Sequence, residues 1–291
     1  MILALRALGL GDLLTALPAL RGLARLGPVT LAAPPALAPL ARLAGFADLL
    51  PTAALAPVAA SAPELAVNLH GQGPQSTRTL LVTGPAKLLA FAHDEVPETA
   101  GMPSWRAEEH EVARWCRLVA PLVEAEPNDL SVAVPDIEPL VRGAVLLHPG
   151  AAAPARRWPA ERWAEVARGL PGRVLVTGGP DEVELAWQVA ELAGLPSDAV
   201  VAGRTDLMEL TALVAAADLL VCGDTGVAHL ATAVGTRSVL LFGPTAPALW
   251  GPPPERGQHR VLWAGRTGDP LAMTTDPGLL ELTPADVLTA V

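Results

Sequence analysis

The sequence predicts an α/β protein made of two Rossmann-like, doubly wound domains that face each other across a cleft. Three observations carry this expectation. Short apolar runs alternate with helix-period patterns along nearly the whole chain, as in parallel sheets covered by helices. Two of those runs, at 1–6 and 219–222, end in glycine turns that feed directly into helices. The alternation breaks once, at 124–142, where Pro and acidic residues take over, and then restarts. The boundaries read from this break are 1–135 and 143–291. With 291 residues, 51% of them apolar, there is material for two cores.

The first domain opens on an apolar strand at 1–6. The turn Ala7-Leu8-Gly9-Leu10-Gly11-Asp12 follows, then a helix carrying Leu13, Leu14, Leu17, Leu20 and Leu23. Gly9 and Gly11 fit the first two places of a dinucleotide fingerprint. The third glycine would fall at Leu14, and no acidic residue ends the next strand at 29–33, so an NAD site is disfavoured. Asp12 stands at the mouth of the turn, either as a cap stabilised by the helix dipole or as a working carboxylate. A helix at 35–44 and a strand at 65–69 lead to a polar loop, His70 to Thr77. Its His70 and Gln72 either line the same crevice as Asp12 or belong to a plain surface loop. A helix near Thr79, a strand at 86–92 and a helix at 103–123 complete the half. That last helix is expected to present Trp105, Val112, Trp115, Leu118 and Val119 on one face and Glu108, Glu109 and Glu111 on another.

The second domain restarts with a strand at 144–148 that runs into Pro149-Gly150-Ala151 and the basic element Arg156-Arg157-Trp158-Pro159. A helix at 161–168, a strand at 174–177 ending in Gly178-Gly179-Pro180-Asp181-Glu182, a helix to residue 193, a strand at 199–201 and a helix at 207–216 continue the alternation. The stretch 219–245 is the most informative. Its strand ends at Gly223-Asp224-Thr225-Gly226, a helix runs over 227–234, and a second strand follows at 238–242. The bare N–H groups at such a helix start form an anion site at the carboxyl end of a strand. Asp224 and Thr225 serve equally well as simple helix caps. A short helix at 284–291 closes the chain.

Composition narrows the function. The net charge of −10 argues against a general nucleic-acid binder, and it is uneven: +3 over 1–90, −8 over 91–140 and −5 beyond. The first third is therefore the part suited to an anionic or neutral substrate. The two cysteines, Cys116 and Cys222, lie in apolar patterns, which argues against a disulfide framework or a cysteine metal site. No apolar run reaches the ~18 to 20 residues of a spanning helix, and the N-terminus lacks a signal-peptide layout, so a cytoplasmic protein with at most peripheral membrane contact is expected.

Four segments together resemble glycosyltransferase family 9, the family of the lipopolysaccharide heptosyltransferases. They are Arg6-Ala-Leu-Gly-Leu-Gly-Asp12-Leu-Leu-Thr-Ala-Leu-Pro18; His148-Pro-Gly-Ala with Arg156-Arg-Trp-Pro159; Gly178-Gly-Pro-Asp-Glu182; and Gly223-Asp-Thr-Gly226-Val-Ala-His229 with Phe242-Gly-Pro-Thr245. The resemblance implies a GT-B fold and inverting, metal-independent transfer of a sugar, a heptose in the best-known members. The donor is a nucleotide-diphosphate sugar such as ADP-heptose, with no resident cofactor. The acceptor is a glycan, a glycolipid or a small molecule. It further implies Asp12 as the base, with Gly9 and Gly11 in its turn, and an N-terminal acceptor side; the loop residues His70 and Gln72 are the acceptor-side candidates there by their position after a strand. Donor contacts fall to Asp224, Thr225, Gly226, His229, Glu182 and Arg156, which stands where the family motif has Lys. Trp158 is expected to pack in the core. The competing expectations are a sugar-nucleotide epimerase of the same architecture, which would need further carboxylates, and a non-catalytic nucleotide or glycan binder.

Overall fold

The computed structural model describes residues 1–291. The chain divides into two compact units, Met1–Val132 and Ala133–Val291.

The first unit runs β1 (Ile2–Leu5), α1 (Leu10–Ala24), β2 (Val29–Ala33), α2 (Ala38–Leu43), β3 (Leu49–Pro51), β4 (Leu65–Asn68), α3 (Gln75–Leu81), β5 (Leu88–Leu89) and α4 (Glu111–Val119). Its sheet has the order β3-β2-β1-β4-β5, with every neighbouring pair parallel. β1 and β4 are buried along their whole length, which is why they read as unbroken apolar runs instead of alternating ones. α1 is apolar nearly all round because it is covered on both sides, packing over the sheet and against α4. Leu13, Leu14, Leu17, Leu20 and Leu23 are each at most 2% exposed, and each such burial contributes on the order of 2 kcal/mol.

The second unit runs β6 (Val145–His148), α5 (Ala160–Gly169), β7 (Val174–Val176), α6 (Val183–Ala193), α7 (Leu207–Ala215), β8 (Leu219–Gly223), α8 (Gly226–Val234), β9 (Ser238–Phe242), α9 (Pro247–Trp250), β10 (His259–Trp263), α10 (Pro277–Glu281) and α11 (Pro284–Ala290). Its sheet, β10-β9-β8-β6-β7, is again parallel throughout. Alternate residues of four strands, Val145 and Leu147, Val174 and Val176, Leu219 and Val221, and Val239 and Leu241, share one core with Trp158, Trp163 and Val189. Trp158 is 2% exposed and meets Trp163 edge to face at 5.1 Å, so it is a core residue as expected. Gly235, at φ 83°, ends α8 in the left-handed conformation that favours glycine.

The local expectations need four corrections. The helix expected over 103–123 is only Glu111–Val119, because the His110 ring accepts from the Val112 N–H and fixes the helix start there. Trp105 therefore precedes the helix, yet it still joins the apolar cluster, edge-on to Phe91 at 5.1 Å. Glu111, expected on an acidic face, is instead 4% exposed. The strand expected at 199–201 is one isolated bridge, Val176 to Val200, since Ser197–Ala199 winds into a 3-10 turn. β3 and β10, both at sheet edges, have no counterpart in the sequence reading. Both cysteines are buried and free, and burial pushes the Cys116 thiol up to about 12.

Candidate functional site

In each unit the residues singled out from the sequence gather at one place, the point where the strand order reverses. In the first sheet the chain leaves β1 toward β2 on one side while β4 lies on the other. Ligands of such sheets bind outside the carboxyl ends of the two strands flanking that reversal. The carboxyl end of β1 leads through Arg6 to the Gly9 turn, and that of β4 leads to His70.

Asp12 is the third residue of α1, and its Oδ2 accepts from the Gly9 N–H at 3.1 Å. Its other oxygen, Oδ1, lies 3.2 Å from Arg6 Nη2. Arg6 is 1% exposed, and a buried guanidinium needs every N–H occupied. Nε donates to the Asp12 carbonyl at 2.9 Å and Nη1 to the Leu69 carbonyl at 2.6 Å. Nη2 also reaches Glu111 Oε1 at 2.9 Å and Thr15 Oγ1 at 3.4 Å. The Trp115 indole N–H donates to the same Glu111 oxygen at 2.9 Å, and Arg114 pairs with the other. Arg6 stacks over Trp115 at 4.7 Å and Arg114 over Trp105 at 4.2 Å. Asp12, Arg6, Glu111 and Arg114 thus form a charge-balanced chain that reaches open space only at Asp12, whose side chain is 28% exposed.

His70 follows β4, and its N–H donates to Asn68 Oδ1 at 3.0 Å. The buried Asn68 in turn donates to Ser76 and Thr77 hydroxyls, both at 2.9 Å, which pins the loop. Burial holds His70 below the usual histidine range; the Arg6 charge pushes the same way and the Asp12 carboxylate opposes. His70 is therefore a neutral imidazole near neutral pH, with a buried Nδ1 that has no partner. Gln72 is exposed further along the loop.

In the second sheet the reversal falls between β6 and β8. The turn after β6 brings Arg156 to the residues after β8. The Gly223 backbone passes so close that a Cβ there would stand 3.3 Å from the Arg156 carbonyl oxygen. Arg156 Nη1 donates to the Asp224 carbonyl at 3.3 Å and lies 3.6 Å from Asp224 Oδ2. Asp224 is 5% exposed, so its carboxylate serves Arg156 and not open solvent. Thr225 is the N-cap of α8 with extended backbone, and its hydroxyl makes no capping bond. The start of α8 therefore has no side-chain cap: the Ala228 N–H turns back to the Thr225 carbonyl at 3.0 Å, and the N–H groups of Gly226 and Val227 precede it, beside a guanidinium that is 23% exposed. His229 lies edge-on to Trp250 at 5.9 Å.

Glu182 sits on the opposite flank of the β6 turn. Its Oε2 accepts from the Gly179 N–H at 2.7 Å and lies 3.6 Å from His148 Nε2, while His148 Nδ1 is hydrogen-bonded to Thr177 at 3.0 Å. Burial keeps His148 below the usual histidine range, with Glu182 opposing. The Glu182 carboxylate also covers Gly150, where a Cβ would stand 2.0 Å from Oε1. Asp12 and Glu182 thus repeat one device: a carboxylate at the third position of a turn of helix closing onto a glycine N–H.

Two parallel, doubly wound sheets, with an uncapped helix start at one reversal and a carboxylate at the other, define a two-unit α/β protein. The chain belongs to glycosyltransferase family 9 (heptosyltransferase), whose family model matches residues 89–269. Lipopolysaccharide heptosyltransferase 2 of Salmonella typhimurium is 32% identical over 151 residues, covering 46% of this chain and 41% of that protein. The match thus spans less than half of that relative. Among solved structures, E. coli ADP-heptose LPS heptosyltransferase II superposes with a TM-score of 0.75 at 20% identity, over 99% of this chain and 96% of that one. E. coli heptosyltransferase WaaC with ADP gives 0.70 at 19%, over 99% and 98%. Both share this fold. No helix is long and apolar enough to cross a membrane.

Sequence reasoning missed Glu111 and Arg114. The available signal was Arg6 itself, a cation closing an apolar strand, which demands a buried anion somewhere in the chain.

Proposed function

We propose that this chain is an inverting, metal-independent glycosyltransferase that moves a sugar from a nucleotide-diphosphate sugar to an acceptor hydroxyl. ADP-heptose is the first donor to test, because the related E. coli structures are described with ADP and as ADP-heptose enzymes. The observation that carries the proposal is the uncapped start of α8 beside Arg156 at the second sheet's reversal. A departing diphosphate carries negative charge into a place already furnished with N–H dipoles and a cation. On this reading the N–H groups at Thr225 and Gly226, Arg156 and His229 hold the diphosphate, and Glu182 meets the nucleoside side of the donor. Asp12 takes the acceptor proton as the hydroxyl attacks the anomeric carbon from the face opposite the leaving group, and His70 and Gln72 flank the acceptor. Asp12 is suited to this, since the Gly9 N–H holds one of its carboxylate oxygens at the start of α1 while one edge faces solvent. The acceptor is a glycan, glycolipid or small molecule, and a cytoplasmic setting follows from the donor class.

Thermal shift and calorimetry with ADP-, UDP-, GDP- and dTDP-sugars test this. A donor at 100 times its Kd stabilises by about 2.7 kcal/mol. Binding that requires Arg156 supports the proposal. Failure of all four nucleotides, or full affinity in Arg156→Gln, overturns it.

A further inference from the structure

We propose that Glu111 is a positioning residue for Asp12, acting through Arg6; this rests on Asp12 being the base. The argument is one of sharing. Arg6 Nη2 carries two hydrogens and has three oxygens around it: Glu111 Oε1 at 2.9 Å, Asp12 Oδ1 at 3.2 Å and Thr15 Oγ1 at 3.4 Å. The rest of the guanidinium is committed to two main-chain carbonyls, of Asp12 and Leu69, so it cannot turn away. Glu111 takes the shortest of the three contacts and lies in the low-dielectric interior, with its side chain 5% exposed. There its charge offsets that of Arg6 far more than an exposed carboxylate would. Asp12 is left with the residual attraction, a 3.2 Å contact that orients it.

Arg114 and the Trp115 N–H fix Glu111 in turn, by an ion pair and a 2.9 Å bond. The groups facing Asp12 are therefore Arg6 after β1, the Gly9 N–H in its own turn, neutral His70 after β4, and Glu111 with Arg114 from α4. Of these, only Glu111 is an anion.

The direction of change separates this from a merely structural role. Removing the Glu111 charge leaves Asp12 as the only anion beside Nη2, which strengthens the Arg6 attraction and makes Asp12 a weaker base. A loosened core would instead free Arg6 to drift and make Asp12 a stronger one. The test is carboxyl-carbon NMR titration of Asp12 in the full chain, assigned with Asp12→Asn, in wild type, Glu111→Gln and Glu111→Asp. The Asp12 titration is expected to move to lower pH in Glu111→Gln and by less in Glu111→Asp, whose charge is kept but withdrawn by one methylene. The aspartate variant also decides the matter if the glutamine variant does not fold. An unmoved or raised Asp12 titration overturns the proposal.

ADP release from ADP-heptose with water as acceptor is followed against pH in parallel. Its acid limb should follow the Asp12 titration, and the plateau should fall by up to about tenfold for each unit of basicity lost. If the NMR titration moves and the rate profile does not, the positioning role stands and the assignment of Asp12 as base fails.

Discussion

Replacing Gly150 with Ala places a methyl group 2.0 Å from Glu182 Oε1 and 2.1 Å from its carboxyl carbon. Ordinary contact begins near 3.4 Å, so the carboxyl group must retreat by about 1.4 Å. Glu182 is a flexible side chain, and it moves before the backbone does. The cost is thus what the carboxylate leaves behind, chiefly the 2.7 Å bond from the Gly179 N–H. The 3.6 Å approach to His148 adds little, because burial keeps that histidine neutral. A lost hydrogen bond to a charged group costs about 1.5–3 kcal/mol. For a domain of this size, at about 2–4 °C per kcal/mol, that lowers the Tm by roughly 3–12 °C. The assay is a double-mutant cycle by urea unfolding, with Gly150→Ala, Glu182→Ala and both. With the carboxylate gone the three atoms nearest the methyl group are gone too, so the double variant should be about as stable as Glu182→Ala alone, giving a coupling of about 2 kcal/mol. Additive losses, with coupling below about 0.5 kcal/mol, would refute the claim that the methyl group acts by displacing Glu182.

Three further outcomes are expected. Asp12→Asn keeps the oxygen that accepts from Gly9 but not the basicity, so turnover should fall about 100-fold or more in a coupled ADP-release assay while ADP affinity holds. Gly226→Val crowds the first turn of α8, and ADP affinity by calorimetry should drop with the Tm of the unliganded protein nearly unchanged. His259 is hydrogen-bonded to Ser238 at 2.8 Å, and burial, helped by Arg256, holds it down at about 4. The unfolded chain takes up that proton near pH 6.5 and the folded chain only near 4. The stability tied to a neutral His259 is therefore complete above about pH 6.5 and is lost as pH falls toward 4, by at most about 1.4 kcal/mol per pH unit. Urea midpoints across that range should fall less steeply in His259→Gln.

The sheets were legible because buried parallel strands announce themselves as short continuous apolar runs ending in turn residues, as 219–223 does before Asp224 and Thr225. The reversal points were legible for the same reason, since Asp12, His70, Arg156 and Thr225 all stand just past such runs. What escaped was non-local or weakly patterned. Glu111 looked like one more member of an acidic face, and nothing within reach of a periodicity count says that its partner lies 105 positions away at Arg6. His110 starts a helix with a ring nitrogen, whereas Pro103 and the apolar spacing from Trp105 onward suggested an earlier start. β10 escaped because edge strands are only half covered: Arg260 and Val261 are exposed, so His259–Trp263 lacks the apolar continuity of its neighbours.

Parallel sheets leave rows of main-chain donors and acceptors at both margins, and the four marginal strands here are not equally protected. β3 ends in Pro51, β5 has two residues and β7 three, all too short to recruit a foreign strand. β10 is five residues long, and four of them, Val261 to Trp263 with His259, are apolar or aromatic. The charge that interrupts it is Arg260. That arginine has no part in the site chemistry proposed above, yet it guards the one margin long enough for two molecules to zip together. Exchange for a β-branched neutral residue such as Thr would leave folding of the monomer intact and turn concentrated protein toward edge-to-edge association.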